Sequence, residues 1–239
     1  MSGERVDITT QDGVADAYFA RPDEGPHPAV LLIMDAYGLR AQIEAMADRI
    51  VAQGYLVLAP NVFYRDVRGQ LLTAEEIAGG SAFEKVMPLV RGLTPDVIER
   101  DGPAYFDALG DGPVAITGYC MGGRAGWHLA AAYPDRVAAL GGFHVGGLVT
   151  DAPDSPHTRA RDIAAEVYLG PADNDRNMNP DQIATLDRAL DDAGVRHRTE
   201  LYEGAAHGYT MADTPAYDEA AAERHYRELF ALLGRTVAA

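Results

Sequence analysis

The single cysteine of this 239-residue chain lies in the segment "GYCMGG", where an apolar run meets a helical pattern. Gly118 and Gly122 stand two residues before and after Cys120, and Gly123 follows. A nucleophile at a sharp strand-to-helix turn needs glycines at this spacing, because larger side chains would collide with neighbouring backbone. A helix N-terminus also favours the thiolate form of a cysteine. The pattern therefore predicts a nucleophilic thiol rather than an inert buried one.

Acidic and imidazole side chains follow later apolar runs. Asp173 and Asp175 come after the run at 166–170, and His207 lies in the small-residue loop "GAAHGY". We prefer Asp173 as the acid because it is nearer the end of the predicted strand, and Asp175 is the alternative. His207 is the predicted base, and His144, in "GFHVGG", is the second choice. Thiol, acid and imidazole in this chain order match the nucleophile, Asp and His of the α/β-hydrolase arrangement.

The elements that would position these side chains alternate between strands and helices. An opening hairpin precedes a continuous apolar run at 29–34, which is typical of a strand buried on both faces. The alternation indicates an α/β protein with a mainly parallel sheet of about eight strands and helices on both faces. Further strands are predicted at 55–60, 114–119, 137–143, 166–170 and 198–202, and helices at 41–53, 121–133, 180–193 and 215–233, with a mostly helical segment at 74–109 that is broken at 79–80, Pro88 and Pro95.

Overall charge and composition disfavour several classes of partner. The formal net charge is −16 and the pI about 4.7, so nucleic-acid phosphates and anionic membrane surfaces would repel the protein. We find neither a membrane-spanning apolar run nor the apolar core of a signal peptide, and the one cysteine allows no internal disulfide, so we expect a cytoplasmic protein. No cluster of histidines or thiolates suggests a metal site. Residues 1–239 are predicted to form one domain.

At these motifs the sequence resembles the dienelactone hydrolase family, the carboxymethylenebutenolidase-like α/β-hydrolases. The resemblance covers nearly the whole chain, and the Gly-x-Cys-x-Gly-Gly turn is its most specific part. It implies an α/β-hydrolase fold and a triad of Cys120, Asp173 and His207. It also implies an oxyanion hole formed by the backbone N–H groups of Met121 and Ala36. The matching segments are "MDAYG" (34–38), "GYLVLAPNVFYR" (54–65), "GYCMGG" (118–123), Asp173 in "GPAD" and "AAHGY" (205–209).

The resemblance assigns further roles around the thiol. In the family's type enzyme a Glu at the end of the third strand helps to deprotonate the thiol; Asp35 stands there and either does the same or holds the loop. Tyr37 and Met211 are expected beside the substrate. Met211 replaces an Arg that grips the substrate carboxylate in the type enzyme, which favours neutral esters or lactones here. A second carboxylate-binding Arg of the family falls in a segment that does not align, and Arg91 and Arg65 are the candidates for it.

Together these features predict a hydrolase that cleaves a lactone or an activated carboxylic ester through an acyl-thioester on Cys120. No cofactor is needed for this chemistry. A broad carboxylesterase or thioesterase is the close alternative, and a non-catalytic ligand-binding protein with a hydrolase fold is the alternative from another class. The expected partner is a small-molecule substrate, and we expect a monomer or a small homo-oligomer.

Overall fold

The computed structural model describes residues 3–23, 25–79 and 82–237 of the chain. Eight strands within these residues form one sheet. In chain order the strands are β1 (Glu4–Thr10), β2 (Gly13–Ala20), β3 (Ala29–Ile33), β4 (Leu56–Pro60), β5 (Val114–Tyr119), β6 (Val137–Phe143), β7 (Glu166–Gly170) and β8 (His197–Thr199).

The sheet is antiparallel at one side and parallel over the rest. Its strand order is β1-β2-β4-β3-β5-β6-β7-β8. The pairs β1–β2 and β2–β4 are antiparallel, and every pair from β4 to β8 is parallel. The carboxyl ends of β3, β5, β6 and β7 therefore lie side by side along one edge of the sheet, where the loops that follow them meet.

Helices cover both faces of this sheet, as the sequence predicts. Successive residues of a strand point to opposite faces. In β6, the Leu140 side chain lies against Gly126, whereas a side chain on the next residue, Gly141, would meet Leu229. Gly126 and Leu229 belong to α5 and α7, two of the seven α-helices of the described residues: α1 (Ala41–Val51), α2 (Ala74–Ala78), α3 (Ala82–Gly92), α4 (Pro95–Leu109), α5 (Met121–Ala132), α6 (Pro180–Ala193) and α7 (Glu219–Thr236).

The central strands are buried because both of their faces are covered. Every residue of β3 and of β5 is buried, which explains why these strands read as continuous apolar runs instead of alternating ones. Their neighbours in the core are mainly aliphatic and aromatic side chains of α1, α4, α5 and α7. The described helices include none that is long and apolar enough to span a bilayer.

Three predicted boundaries differ from the structure. Pro88 does not break a helix but lies inside α3; it is exposed, so the carbonyl that loses its N–H partner can bind water. The last strand ends at Thr199, and beyond it Tyr202 makes only an isolated bridge. The last helix begins later than predicted because the Asp218 side chain accepts a hydrogen bond from a first-turn N–H at 2.9 Å and caps it. Of the break at 79–80, Gly80 lies outside the described residues.

Candidate active site

Cys120 lies between β5 and α5, at a strained backbone turn. Its φ of 54° and ψ of −120° belong to a region that residues other than glycine rarely adopt. Close packing explains the flanking glycines: a Cβ atom on Gly118 would lie 2.4 Å from the carbonyl oxygen of Gly122, and one on Gly122 would lie 2.4 Å from that of Ile33. Cys120 itself is partly exposed. The turn therefore presents the sulfur at the carboxyl edge of the sheet.

The His207 imidazole lies between this thiol and a buried carboxylate. Its Nδ1 atom is 2.5 Å from Oδ2 of Asp175. The ring also lies beside Cys120, at the same cavity, and is close enough for the thiol to raise its pKa. Because Nδ1 faces the carboxylate, the nitrogen that faces the thiol is Nε2. Thiol, imidazole and carboxylate form one chain of contacts, which is the geometry that nucleophilic catalysis by a triad requires.

The carboxylate at His207 belongs to Asp175, so the sequence-based preference for Asp173 is wrong. Asp173 accepts a hydrogen bond from the backbone N–H of Gly204 at 2.9 Å and thereby holds the loop that follows β8. Between the two acids, Asn174 has a left-handed φ of 53° and redirects the chain. Proximity to the strand end is therefore the wrong criterion, because the turn after β7 decides which acid reaches the base.

Two further hydrogen bonds fix the Asp175 carboxylate. The backbone N–H and the side-chain amide of Asn177 donate to Oδ1 at 2.8 and 3.1 Å, which leaves Oδ2 for His207. Burial alone would raise the pKa of Asp175, but the hydrogen bonds from His207 and Asn177 outweigh it and lower the pKa below its usual value. Asp175 is therefore held ionised. Nothing in the sequence pattern pointed to Asn177, which supports the acid from two residues further along the loop.

The environment of His207 favours its protonated form. Burial disfavours a charged imidazole, but the hydrogen bonds to Asp175 and to Cys120 more than offset this and raise the pKa of His207 to about 10. A protonated imidazole next to a sulfur stabilises negative charge on that sulfur. The site is thus arranged for proton transfer between thiol and imidazole.

His144, the second choice for the base, has a different role in the structure. Its ring is completely buried, and Nε2 is 2.8 Å from the hydroxyl of Thr210. The ring packs edge-to-face against His207, with 5.2 Å between the centroids. Burial, together with the charge of His207, holds the pKa of His144 well below its usual value, so this imidazole is neutral. His144 therefore supports the loop that carries His207, and His207 is the imidazole beside the thiol.

Asp35 is bound to an arginine and not to the thiol. Its carboxylate accepts hydrogen bonds from Arg40 at 2.6 and 3.1 Å and from the backbone N–H of Tyr37 at 3.1 Å. Arg40 is 4% exposed and also binds Asp213 at 2.6 Å. In the described part of the chain, Asp35 makes no hydrogen bond with Cys120. The expectation that Asp35 deprotonates the thiol is therefore corrected: the guanidinium occupies the carboxylate, which agrees with the alternative that Asp35 holds the loop.

The two amides expected to form the oxyanion hole both belong to residues at the cavity beside the thiol. Ala36 follows Asp35 in the loop after β3, and Met121 is the first residue of α5. Within the residues that the structure describes, neither backbone N–H donates to another protein atom. Both donors are available for a ligand, and the N-terminus of α5 adds a favourable dipole for negative charge.

A cavity of about 530 Å³ opens in front of Cys120 and His207. Tyr37 and Met211 line it, as expected for residues beside a substrate. The arginine candidates from the sequence do not. Arg65 forms ion pairs at 2.7 Å with both Asp12 and Asp101, and Arg91 is exposed at the end of α3. The other lining residues are Asp35, Ala36, Phe83, Val86, Met87, Val90, Met121, Arg124, His144, Gly146, Gly147, Asn177, Gly208, Thr214, Pro215 and Ala216.

The arginine that does line the cavity is Arg124. It lies four residues after Cys120, one turn into α5, and Gly147 leaves room for it: a Cβ atom there would be 3.1 Å from its Nη1. Across the described residues, Arg124 forms no ion pair with a carboxylate. The sequence did contain a signal for this residue, because a side chain one helical turn after the nucleophile projects from the same face as the nucleophile.

A search of the described residues for metal sites finds no group of three or more His, Cys, Asp or Glu side chains that could hold an ion. The polar groups of the cavity instead form the thiol, imidazole and carboxylate chain, the two free amides and one guanidinium. This set can bind an ester, stabilise an oxyanion and move a proton.

The family model of the dienelactone hydrolase family matches residues 15–237 of the chain. Two similar curated proteins carry the name "Putative carboxymethylenebutenolidase". One, from Yersinia pestis, is 27% identical over 235 residues, which are 93% of this chain and 84% of that protein. The other, from Methylorubrum extorquens, is 29% identical over 245 residues, which are 96% of this chain and 79% of that protein.

Solved structures share the fold over the whole chain. A structure titled "Putative Dienelactone Hydrolase" from Klebsiella pneumoniae has a TM-score of 0.84 and 23% identity and covers 98% of both chains. A dienelactone hydrolase-like promiscuous phosphotriesterase from metagenomic libraries has a TM-score of 0.79 and 20% identity and covers 100% of both chains. These likenesses confirm the predicted α/β-hydrolase fold.

Proposed function

Since the chain belongs to the dienelactone hydrolase family and is a hydrolase, we propose that it cleaves a lactone or an activated carboxylic ester through a covalent acyl-thioester. Cys120 is the nucleophile, His207 the general base and acid, and Asp175 the carboxylate that orients the imidazole. The observation that carries this proposal is the position of the His207 ring, which hydrogen-bonds to the buried carboxylate and lies beside the thiol at the same cavity. The expected substrate is a small molecule.

In the first half of the reaction, the proton that Cys120 and His207 share stays on Nε2, where the raised pKa of the imidazole favours it, while the Cys120 sulfur attacks the carbonyl carbon. The electron pair of the C=O bond moves to the oxygen, whose negative charge the N–H groups of Ala36 and Met121 stabilise. When the C=O bond re-forms, the bond to the leaving oxygen breaks. His207 gives its proton to that oxygen, and the acyl group stays on the sulfur as a thioester.

In the second half, water replaces the alcohol. His207 takes a proton from the water, whose oxygen attacks the thioester carbonyl in the same oxyanion hole. The carbon–sulfur bond breaks, the carboxylic acid leaves, and the proton taken from water stays on His207 beside the sulfur, as at the start of the cycle. Asp175 remains ionised throughout and holds the ring, which is the role of the acid in triads of this type.

The Arg40 cluster, which consists of Arg40, Asp35 and Asp213, supports this machinery. Arg40 connects Asp35, in the loop of the Ala36 amide, to Asp213, in the loop that carries His207. A guanidinium with several donors in fixed directions suits such bridging. The cluster holds the oxyanion loop and the base loop in one arrangement, so that the attacking atom and the oxyanion donors keep their relative positions.

Ester hydrolysis by matched variants tests the proposal. We expect the wild type to hydrolyse p-nitrophenyl acetate or a simple lactone, and Cys120→Ala to lose all but a small residual rate from binding and the oxyanion hole. His207→Ala should lose nearly as much, because the members of a triad act as a unit. His144→Ala is the control and should keep more activity than His207→Ala. A Cys120→Ala protein with wild-type rates would contradict the proposal by placing the hydrolysis elsewhere, and a wild type that hydrolyses neither substrate would favour a ligand-binding role.

A further inference from the structure

Helix α3 presents a stripe of apolar side chains to the cavity. Phe83, Val86, Met87 and Val90 all line it. Their spacing of three, four and seven residues from Phe83 puts them on one face of the helix. The residues between them, such as Glu84 and Lys85, are exposed. The stripe therefore faces the cavity.

Core packing alone does not account for this stripe. Val86 is 1% exposed and belongs to the core, but Phe83 is 65% exposed, the largest fraction among the large apolar side chains that are exposed in the described residues. An exposed phenyl ring leaves apolar surface in contact with water, and an apolar ligand group at the mouth of the cavity would cover that surface. The remaining two members, Met87 and Val90, are half-buried and leave room in front of them.

Other residues of the cavity match the stripe chemically. Met121 and Met211 also line it, as do Tyr37, Pro215 and Ala216. Methionine is flexible and polarisable and adapts to apolar ligands of different shapes. The volume of about 530 Å³ lies within the range of roughly 300–1,000 Å³ that is usual for sites of drug-sized ligands. A small acetyl ester would leave most of this apolar space empty.

We propose that the substrates of this enzyme are esters or lactones with an extended apolar group, an alkyl chain of medium length or an aryl ring, which lies along the α3 stripe while Cys120 attacks the carbonyl. This inference rests on the proposed ester hydrolysis at Cys120 and specifies its substrate class. The stripe residues Phe83, Val86, Met87 and Val90 set this specificity by contact with the apolar group and take no part in the chemical steps.

A chain-length series measures the effect. Each methylene that becomes buried contributes about 0.8 kcal/mol, or about fourfold in kcat/KM. We expect kcat/KM to rise by about this factor per methylene from the acetate to the octanoate in p-nitrophenyl esters, or from methyl to octyl in alkyl acetates, according to which side of the ester faces α3. Values that stay flat or fall with length in both series would overturn the proposal.

Variants on two faces of α3 localise the effect. Met87→Trp fills the cavity and should lower the octanoate-to-acetate ratio of kcat/KM at least tenfold. Phe83→Ser should lower the ratio by a smaller factor. Glu84→Trp adds the same bulk on the exposed face and should leave the ratio unchanged. If Met87→Trp and Glu84→Trp behave alike, the stripe does not bind the substrate.

A binding measurement separates this inference from the proposed function. N-methyloctanamide and N-octylacetamide have the apolar group but no good leaving group, and N-methylacetamide is the matched small control. Calorimetry should show that at least one of the long amides binds the wild type at least tenfold more tightly than the control, and that Met87→Trp removes the difference. This binding without any ester hydrolysis would refute the proposed function and keep the apolar site. Hydrolysis that Cys120→Ala abolishes, without any preference for length or binding of either long amide, would refute only the apolar site.

Discussion

Two buried carboxylates at the edge of the sheet, Asp175 and Asp35, show how a partner decides what an acid can do. Both are less than 10% exposed, and both follow the carboxyl end of a parallel strand. Asp175 faces an imidazole, which can give up and take back a proton during a reaction. Asp35 faces the guanidinium of Arg40, which stays charged. One carboxylate can therefore orient a proton carrier, whereas the other can only fix the geometry of a loop.

The largest effect should come from removing the charge of Asp175, the carboxylate that faces the imidazole. Asp175→Asn should lower kcat by about 10⁴-fold, because a neutral amide no longer holds the imidazole in the tautomer that can accept the thiol proton. Steady-state kinetics with an activated ester would measure it. Asp173→Asn is the matched control, two residues away, and should keep kcat within a few-fold. The opposite order of the two variants would return the catalytic role to Asp173.

For the Asp35–Arg40 pair, the largest change should appear in the free energy of unfolding. Arg40→Met leaves the Asp35 and Asp213 carboxylates without their shared cation, and removing one partner of a buried ion pair costs about 3–5 kcal/mol. Urea unfolding would measure the loss in the free energy of unfolding. Arg49→Met is the control, because the Arg49–Glu223 pair is exposed and should contribute less than about 1 kcal/mol. Equal losses in the two variants would show that the buried Arg40 cluster contributes no more to the free energy of unfolding than the exposed pair does.

A third guanidinium, that of Arg124, extends the comparison because it lines the cavity without a carboxylate partner among the described residues. A charge-assisted hydrogen bond to a substrate anion contributes about 1.5–3 kcal/mol. Arg124→Gln should therefore lower kcat/KM for a p-nitrophenyl hydrogen succinate roughly 10- to 150-fold and leave p-nitrophenyl butanoate nearly unchanged. Arg91→Gln is the control. If only Arg91→Gln lowered kcat/KM for the succinate, Arg91, one of the two candidates from the sequence, would be the carboxylate-binding arginine. Because Arg124 can bind a substrate carboxylate in the cavity, the presence of Met211 is no longer a reason to expect neutral substrates.

The two pairs, Asp175–His207 and Asp35–Arg40, should also respond differently to pH. The pKa of His207 is raised to about 10 from an ordinary value near 6.5. Its protonated form therefore stabilises the fold fully below about pH 6.5, and this contribution is lost as the pH rises through 10. The difference in unfolding free energy between wild type and His207→Gln should shrink between pH 6.5 and pH 10. The difference between wild type and Arg40→Met should stay constant there. A gap for His207→Gln that does not change with pH would contradict the assigned protonation.

The parts of the site that the sequence predicted are those that local spacing determines. Cys120 and its glycines could be identified because the steric demand of the turn acts within a few residues of the chain. The fold followed from buried apolar runs such as 29–34. The choice between Asp173 and Asp175 failed because the left-handed turn at Asn174 sets the direction of both side chains, and that conformation is not visible in the order of the residues.

Contacts between segments distant in the chain were the other source of error. The position of Asp35 suggested an activator of the thiol, but in the folded loop after β3 it pairs with Arg40, which also binds Asp213 from a distant segment of the chain. Nothing in the sequence singled out the apolar stripe on α3, because only the packed structure shows that a cavity lies in front of it. Such properties depend on how distant segments meet, and periodicity within one segment does not reveal them.

The most direct test of the covalent mechanism is to observe the acyl group on Cys120. The wild type is mixed with an excess of p-nitrophenyl octanoate or acetate, quenched in acid during turnover, and analysed as intact protein and as peptides by mass spectrometry. The account predicts a mass increase of one acyl group on the peptide that contains Cys120, removed by hydroxylamine and absent in Cys120→Ala. Turnover without any adduct on this peptide, together with full activity of Cys120→Ala, would contradict it.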